Sequence, residues 1–192
     1  NPIALSIAGF LSYRDPVEID FSNIEVACIA GANGAGKSSI LDAITWALFG
    51  KARKTDDTLI NNQSEIADVS LIYEYETNIY RIHRLNPRDK TKNLEFQILV
   101  SPPETANQSD RAEWKTLTEH TMRDTQEAIE NTLRLDYETF INAAFFLQGN
   151  ADNFTTQRPG KRKEILSNIL GLEIWEKYRR DTFQRRRNLE NQ

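Results

Sequence analysis

Alternation between apolar and polar positions runs through the first hundred residues. Ile3, Leu5 and Ile7 share one parity, as do Val17, Ile19 and Phe21, so two half-buried strands are expected, joined by a turn around Tyr13, Arg14, Asp15 and Pro16. The same period returns at Val69, Leu71, Tyr73 and Tyr75. A turn at Thr77 and Asn78 then leads into a strand over 79–82, and Leu94, Phe96, Ile98 and Val100 give one more. The polar stretch 101–111, which contains Pro102 and Pro103, reads as a loop.

Elsewhere the period changes. Residues 24–30, with Ile24, Val26, Cys28 and Ile29, form a short apolar run with β-branched residues, the composition of a buried strand. From Ser38 onward Ile40, Leu41, Ile44, Ala47 and Leu48 recur at helical spacing, and Gly50 stands where a glycine stops a helix. Thr121 with Asp124 resembles a capping box opening a helix through Ile129 and Leu133, and a second helix is expected over 137–146. Pro159 and Gly160 precede a helix with Ile165, Leu166, Ile169 and Leu170; Gly171 interrupts it before a stretch with Trp175 and Tyr178.

A chain of 192 residues supports one domain with a real core, with room for a smaller appendage. The single cysteine, Cys28, excludes an intramolecular disulfide and reads as a small core residue. No run is long enough to span a membrane, and no basic-then-apolar leader opens the chain, which begins at Asn1 as though trimmed. His83 and His120 have no Cys or second His at ligand spacing and read as ordinary residues. Charge divides unevenly: residues 158–192 carry ten Lys/Arg against five acids, a net +5, which leaves −9 on residues 1–157 out of −4 overall.

One passage carries a chemistry. Gly31-Ala32-Asn33-Gly34-Ala35-Gly36-Lys37-Ser38 fits G-x-x-x-x-G-K-[ST] without a gap, and Ser39 follows it. The glycines permit a loop whose N–H groups converge on nucleotide phosphates, Lys37 supplies charge to the β/γ-phosphates, and the Ser38 hydroxyl suits Mg²⁺. Set between an apolar run and a helix, the loop places the helix N-terminus at the phosphates. The chain has neither the Asp-x-x-Gly nor the Asn-Lys-x-Asp of a GTPase. It also lacks four apolar residues ending in Asp, the Walker B strand that completes a Mg²⁺ site; Leu133-Arg134-Leu135-Asp136 is broken by Arg134. The chain holds half a site.

Further motifs extend the picture: Phe10-Leu11-Ser12-Tyr13, Leu135-Asp136-Tyr137-Glu138-Thr139-Phe140, Phe145-Phe146-Leu147-Gln148-Gly149, and Lys161-Arg162-Lys163-Glu164-Ile165-Leu166 running to Ile169-Leu170-Gly171-Leu172. With the phosphate loop, their order and spacing resemble the SbcC-type DNA double-strand-break repair ATPases over almost the whole chain. The resemblance implies an α/β fold: the first half (lobe I) of a P-loop ABC-type ATPase head, with an antiparallel β layer and a C-terminal coiled-coil-base helix. It places the lobe at 1–157 and the start of the ascending coil at 158–192. It implies that Gln148 belongs to the Q-loop reaching Mg²⁺ and the attacking water, and that Ile60, Asn61 and Asn62 lie near the adenine. Many relatives have a basic residue where this chain has Leu11, so a ribose or phosphate contact from that loop falls to backbone or Arg14.

The same resemblance implies ATP and Mg²⁺ as ligands, and a C-terminal half of the head supplying the signature, Walker B and catalytic Glu. It further implies a second copy closing on ATP, an SbcD-type nuclease, double-stranded DNA ends, and a cytoplasmic, nucleoid-associated setting. This fragment alone is expected to be inactive. DNA contacts are expected from Lys51, Arg53 and Lys54, from Arg84, Arg88, Lys90 and Lys92, and from Arg179 and Arg180. Two alternatives stand: a chromosome-organising ATPase of the structural-maintenance type, and a transporter ATPase subunit in which Tyr13 would stack on the base.

Overall fold

The computed structural model describes residues 1–101, 112–143, 157–169 and 173–190. Two compact units emerge, Asn1–Thr132 and Leu133–Gln192. The fold class is α/β.

Among the described residues the first unit is built on six antiparallel strands in the order β2-β1-β3-β4-β5-β6. They are β1 (Pro2–Ala8), β2 (Val17–Asp20), β3 (Ile66–Tyr75), β4 (Asn78–Pro87), β5 (Asn93–Ser101) and β6 (Glu113–Thr116). Register is set by alternation, since a one-residue slip would move every apolar side chain to the other face. β3 pairs with β4 along its whole length, from Ile66 opposite Pro87 to Tyr75 opposite Asn78. The turn between them falls on Glu76 and Thr77, both left-handed (φ 45° and 70°), the pair of conformations that a two-residue hairpin turn needs.

On the inner face lie Leu5 and Ile7, Val69 and Leu71, Ile82, and Phe96, all at most 1% exposed. Helix α1 (Lys37–Phe49) packs on β3 and β4, burying Ala43, Trp46 and Ala47. Trp46 meets Phe10 at a centroid distance of 5.2 Å, while Tyr73, Tyr80 and Phe96 stack in a row at 5.6 Å intervals. Such a core is close-packed, so removing one of these large side chains costs about 2–5 kcal/mol. Helix α2 (Met122–Leu133) opens as its sequence indicates, with the Asp124 N–H donating to Thr121 Oγ1 at 3.1 Å.

The second unit contains α3 (Tyr137–Ala143), α4 (Pro159–Ile169) and α5 (Glu173–Glu190). Asp136 caps α3 by accepting the Thr139 N–H at 2.7 Å, and α3 packs on α4, tied by Lys161 to Glu138 at 2.6 Å. Residues 178–187 of α5 are all exposed.

Two expectations need correction. Residues 24–30 form no strand and pair with neither sheet edge: Ile24, Val26 and Ile29 are 46%, 93% and 43% exposed. Cys28 is exposed rather than a core residue. An apolar run signals a need for burial, but a strand forms only where another strand offers a ladder, and none does among the described residues. Strand β6 was not foreseen, and the loop expected over 101–111 lies almost wholly outside the described residues, as does the break at Gly171.

Candidate functional site

The phosphate loop passes directly into α1. Gly36 is the helix N-cap with φ 91°, and a Cβ there would lie 3.1 Å from Ser12 Cβ and 3.2 Å from Tyr13 Cε2. Glycine is required twice over, by the left-handed backbone and by the close approach of the 12–13 turn. Gly34, at φ 83°, has open space around it and answers to backbone conformation alone.

No side chain caps the N-terminus of α1, and no acidic residue occupies its first turn. The Ser39 N–H turns back to the Gly36 carbonyl at 2.9 Å, and the N–H groups ahead of it in the first turn have no carbonyl within the helix, so this end combines donors with a partial positive charge. Lys37 is folded over the loop, its Nζ donating to the carbonyls of Gly31 at 2.7 Å and Ala32 at 2.8 Å. Both bonds are to neutral acceptors in an exposed loop, weaker partners than a phosphate oxygen. Asn33, Gly34 and Ala35 are exposed along the same loop. The donor set fits an anionic phosphate chain.

The two serines divide. Ser39 is 5% exposed and its hydroxyl bonds Ser12 Oγ at 3.3 Å. Ser38 is half-buried. Among the described residues no group of three or more His, Cys, Asp or Glu could hold a metal ion by itself.

A second segment closes against the loop. Phe10 and Tyr13 exchange backbone hydrogen bonds at 2.8 Å, forming a tight turn with Leu11 left-handed at φ 47°. Asn61 holds this turn, its Nδ2 donating to the Leu11 carbonyl at 2.6 Å and its N–H to the Gly9 carbonyl at 2.8 Å. Arg14 Nη1 donates to Gln63 Oε1 at 3.2 Å. The fold therefore brings Gly36, Tyr13, Arg14 and Asn61 to one place. Ile60, expected near the adenine, is 2% exposed and its side chain belongs to the core, leaving only its backbone to a ligand. Asn62 is exposed, and Gln148 lies outside the described residues.

The basic residues divide more sharply. Arg84 is 6% exposed and donates inward, so it is withdrawn from the DNA-contacting set: the parity of β4 puts Tyr80, Ile82, Arg84 and Asn86 on the buried face. Arg53 is bound to Asp42, and Lys92 pairs with Asp56 at 2.9 Å. Lys54, Lys90, Arg179 and Arg180 are exposed, and Arg88 is half-buried. On the outer sheet face His83 Nε2 lies 2.9 Å from Asp68 Oδ1 and its Nδ1 3.9 Å from Glu95 Oε2; the Asp68 hydrogen bond raises the His83 pKa, against the desolvation that lowers it.

Asp42, which holds Arg53, was missed as a part of this framework. No described helix is long and apolar enough to cross a membrane.

Comparison with known proteins is consistent with this geometry. A family described as AAA domain matches residues 4–192. The SbcC component of the SbcCD nuclease of Deinococcus radiodurans is 29% identical over 176 residues, covering 90% of this chain and 18% of that protein. The probable DNA double-strand break repair Rad50 ATPase of Aquifex aeolicus is 32% identical over 197 residues, covering 99% and 18%. Among solved structures, the SMC head domain from Thermotoga maritima matches 58% of this chain and 41% of its own at 29% identity, with a TM-score of 0.38. The chain thus spans 18% of the length of the first two relatives.

Proposed function

The chain belongs to the AAA domain family, with SbcC and Rad50 repair ATPases among its relatives, and on that footing we propose that it is the ATP-binding first lobe of a double-strand-break repair ATPase head. The lobe spans residues 1–157, and an ascending coiled coil begins at 158–192. The observation that carries this reading is the uncapped N-terminus of α1, with Lys37 held on the Gly31 and Ala32 carbonyls at the mouth of the loop.

Phosphates entering the loop receive the leading N–H groups of α1, and Lys37 exchanges two neutral acceptors for anionic ones. Ser38 would hold Mg²⁺, which would supply positive charge against the phosphate oxygens. Tyr13, Arg14 and Asn61 bound the nucleoside side. Gln148 orients the attacking water.

The exposed 24–30 run supports a second component. Ile24, Val26 and Ile29 have the composition of a buried strand and no partner strand among the described residues. A C-terminal half of the head supplies that partner, together with the Walker B carboxylate this chain lacks. Two assembled heads then close on ATP, and hydrolysis reopens them, shifting the population that gives an SbcD-type nuclease access to a DNA end.

The test is turnover. The chain alone hydrolyses ATP at background rate, and adding the C-terminal half restores slow hydrolysis. In that assembly Gln148→Ala keeps ATP binding and loses hydrolysis. Full hydrolysis by the isolated chain, or parental turnover in Gln148→Ala, contradicts the split-site reading.

A further inference from the structure

The end of α1 remote from the phosphate loop is held from three directions. The Gly50 N–H reaches the Trp46 carbonyl at 2.8 Å, Arg84 Nη2 from β4 reaches that of Ala47 at 3.0 Å, and Gln126 Nε2 from α2 reaches that of Leu48 at 3.0 Å. Arg84 and Gln126 also bond each other, Nη2 to Oε1 at 2.7 Å, and Gln126 donates onward to Glu130 at 2.9 Å. A helix C-terminus leaves carbonyls unsatisfied and carries partial negative charge. The last turn of α1 has no basic residue of its own, so Arg84 supplies the charge from the neighbouring strand.

Packing alone does not account for an arginine here. Its Nε is buried without a hydrogen bond, and its guanidinium lies 5.7 Å from the Trp46 ring centroid. Burying a charge is expensive, and an apolar side chain of similar volume in such a place often stabilises a protein equally well or better. Burial draws the Arg84 pKa down to about 10, with Glu130 opposing, which leaves it charged at neutral pH. The site is also shaped around it: a Cβ on Gly50 would come 3.2 Å from Arg84 Nη1.

We propose that Arg84 is a positioning residue for the phosphate loop: by gripping the Ala47 carbonyl from β4 it fixes where α1 sits along its own axis, and so where Lys37 and Ser38 stand at the other end. A 13-residue helix is a stiff rod of roughly 20 Å, so a shift at one end is carried to the other. Arg84 touches no nucleotide. The inference rests on the ATP-site reading of the loop.

The experiment measures Mg-ATP affinity by calorimetry in the full-length protein that carries this chain. Arg84→Met, close in length but without charge or donors, is expected to weaken binding at least tenfold, and Arg84→Lys, which restores a charge and a donor, to recover most of the loss. Phe96→Leu, a core change on β5, serves as the stability control: it lowers the melting temperature but keeps affinity within about threefold. Unchanged affinity in Arg84→Met, no rescue by lysine, or an equal loss in Phe96→Leu overturns the positioning role. A parent protein that fails to bind Mg-ATP overturns the ATP-site reading, and this inference with it.

Discussion

The Asp42 carboxylate, 3% exposed, receives four hydrogen bonds from the single residue Arg53. The backbone N–H reaches Oδ1 at 3.2 Å, Nε reaches Oδ1 and Oδ2 at 3.1 and 2.8 Å, and Nη2 reaches Oδ2 at 2.6 Å. This clamp ties the segment after α1 to the helix, and the Asp42 bond raises the Arg53 pKa.

Arg53→Ala leaves a buried carboxylate without its counter-charge. Arg53 is itself half-exposed, so the expected cost is about 2–3 kcal/mol rather than the larger penalty of a fully buried pair. Pairing Asp42→Leu with Arg53→Ala should recover most of it. Urea unfolding of the two single variants and the double variant decides the point, and additive losses would mean that the clamp carries no coupling.

Lys37→Ala is expected to abolish measurable Mg-ATP binding in the assembled head, a loss of at least about a hundredfold, because charge-assisted bonds to phosphate are among the strongest available. Ser38→Ala should weaken binding only when Mg²⁺ is present. Calorimetry with and without EDTA separates the two, and unchanged affinity in Lys37→Ala rejects the site.

His83 sets a pH dependence. Its folded-state pKa is raised above 6.5 by Asp68, so its stabilising contribution is complete below the unfolded value and is lost as pH rises through the folded value. Stability should therefore fall from slightly acid to mildly alkaline pH, and His83→Gln should flatten that slope. Urea midpoints at three pH values test this; an identical slope in the variant assigns the dependence to other groups.

DNA binding by the assembled head should be indifferent to sequence, require ATP, and fall steeply with salt, because Lys54, Lys90, Arg179 and Arg180 would meet phosphates rather than base edges. Arg84→Met should not alter the salt slope. Affinity that ignores both nucleotide and salt leaves these residues as solvated charges.

The strands of the first unit were legible because their inner and outer faces differ: Leu5 and Ile7, or Val69 and Leu71, mark a buried side at every second position. The phosphate loop was legible because the chemistry demands glycine and lysine at fixed spacing. Strand β6 was not, since four residues with one large apolar side chain, Trp114, give too short a pattern. Arg84 was misread by its charge, although the parity shared with Tyr80 and Ile82 already placed it inside. Ser39's commitment to Ser12 depends on a contact 27 residues distant, which no local pattern contains.

The bare 24–30 run has a practical consequence. It combines β-branched residues with a single charge, Glu25, and leaves Val26 93% exposed. A segment of that kind is a template for any extended chain that meets it, including another copy of itself, and Glu25 is the one gatekeeper in its own sequence. Concentrating the isolated chain should drive it into aggregates rich in intermolecular β-structure, so synthesis alongside a covering partner becomes a condition for solubility.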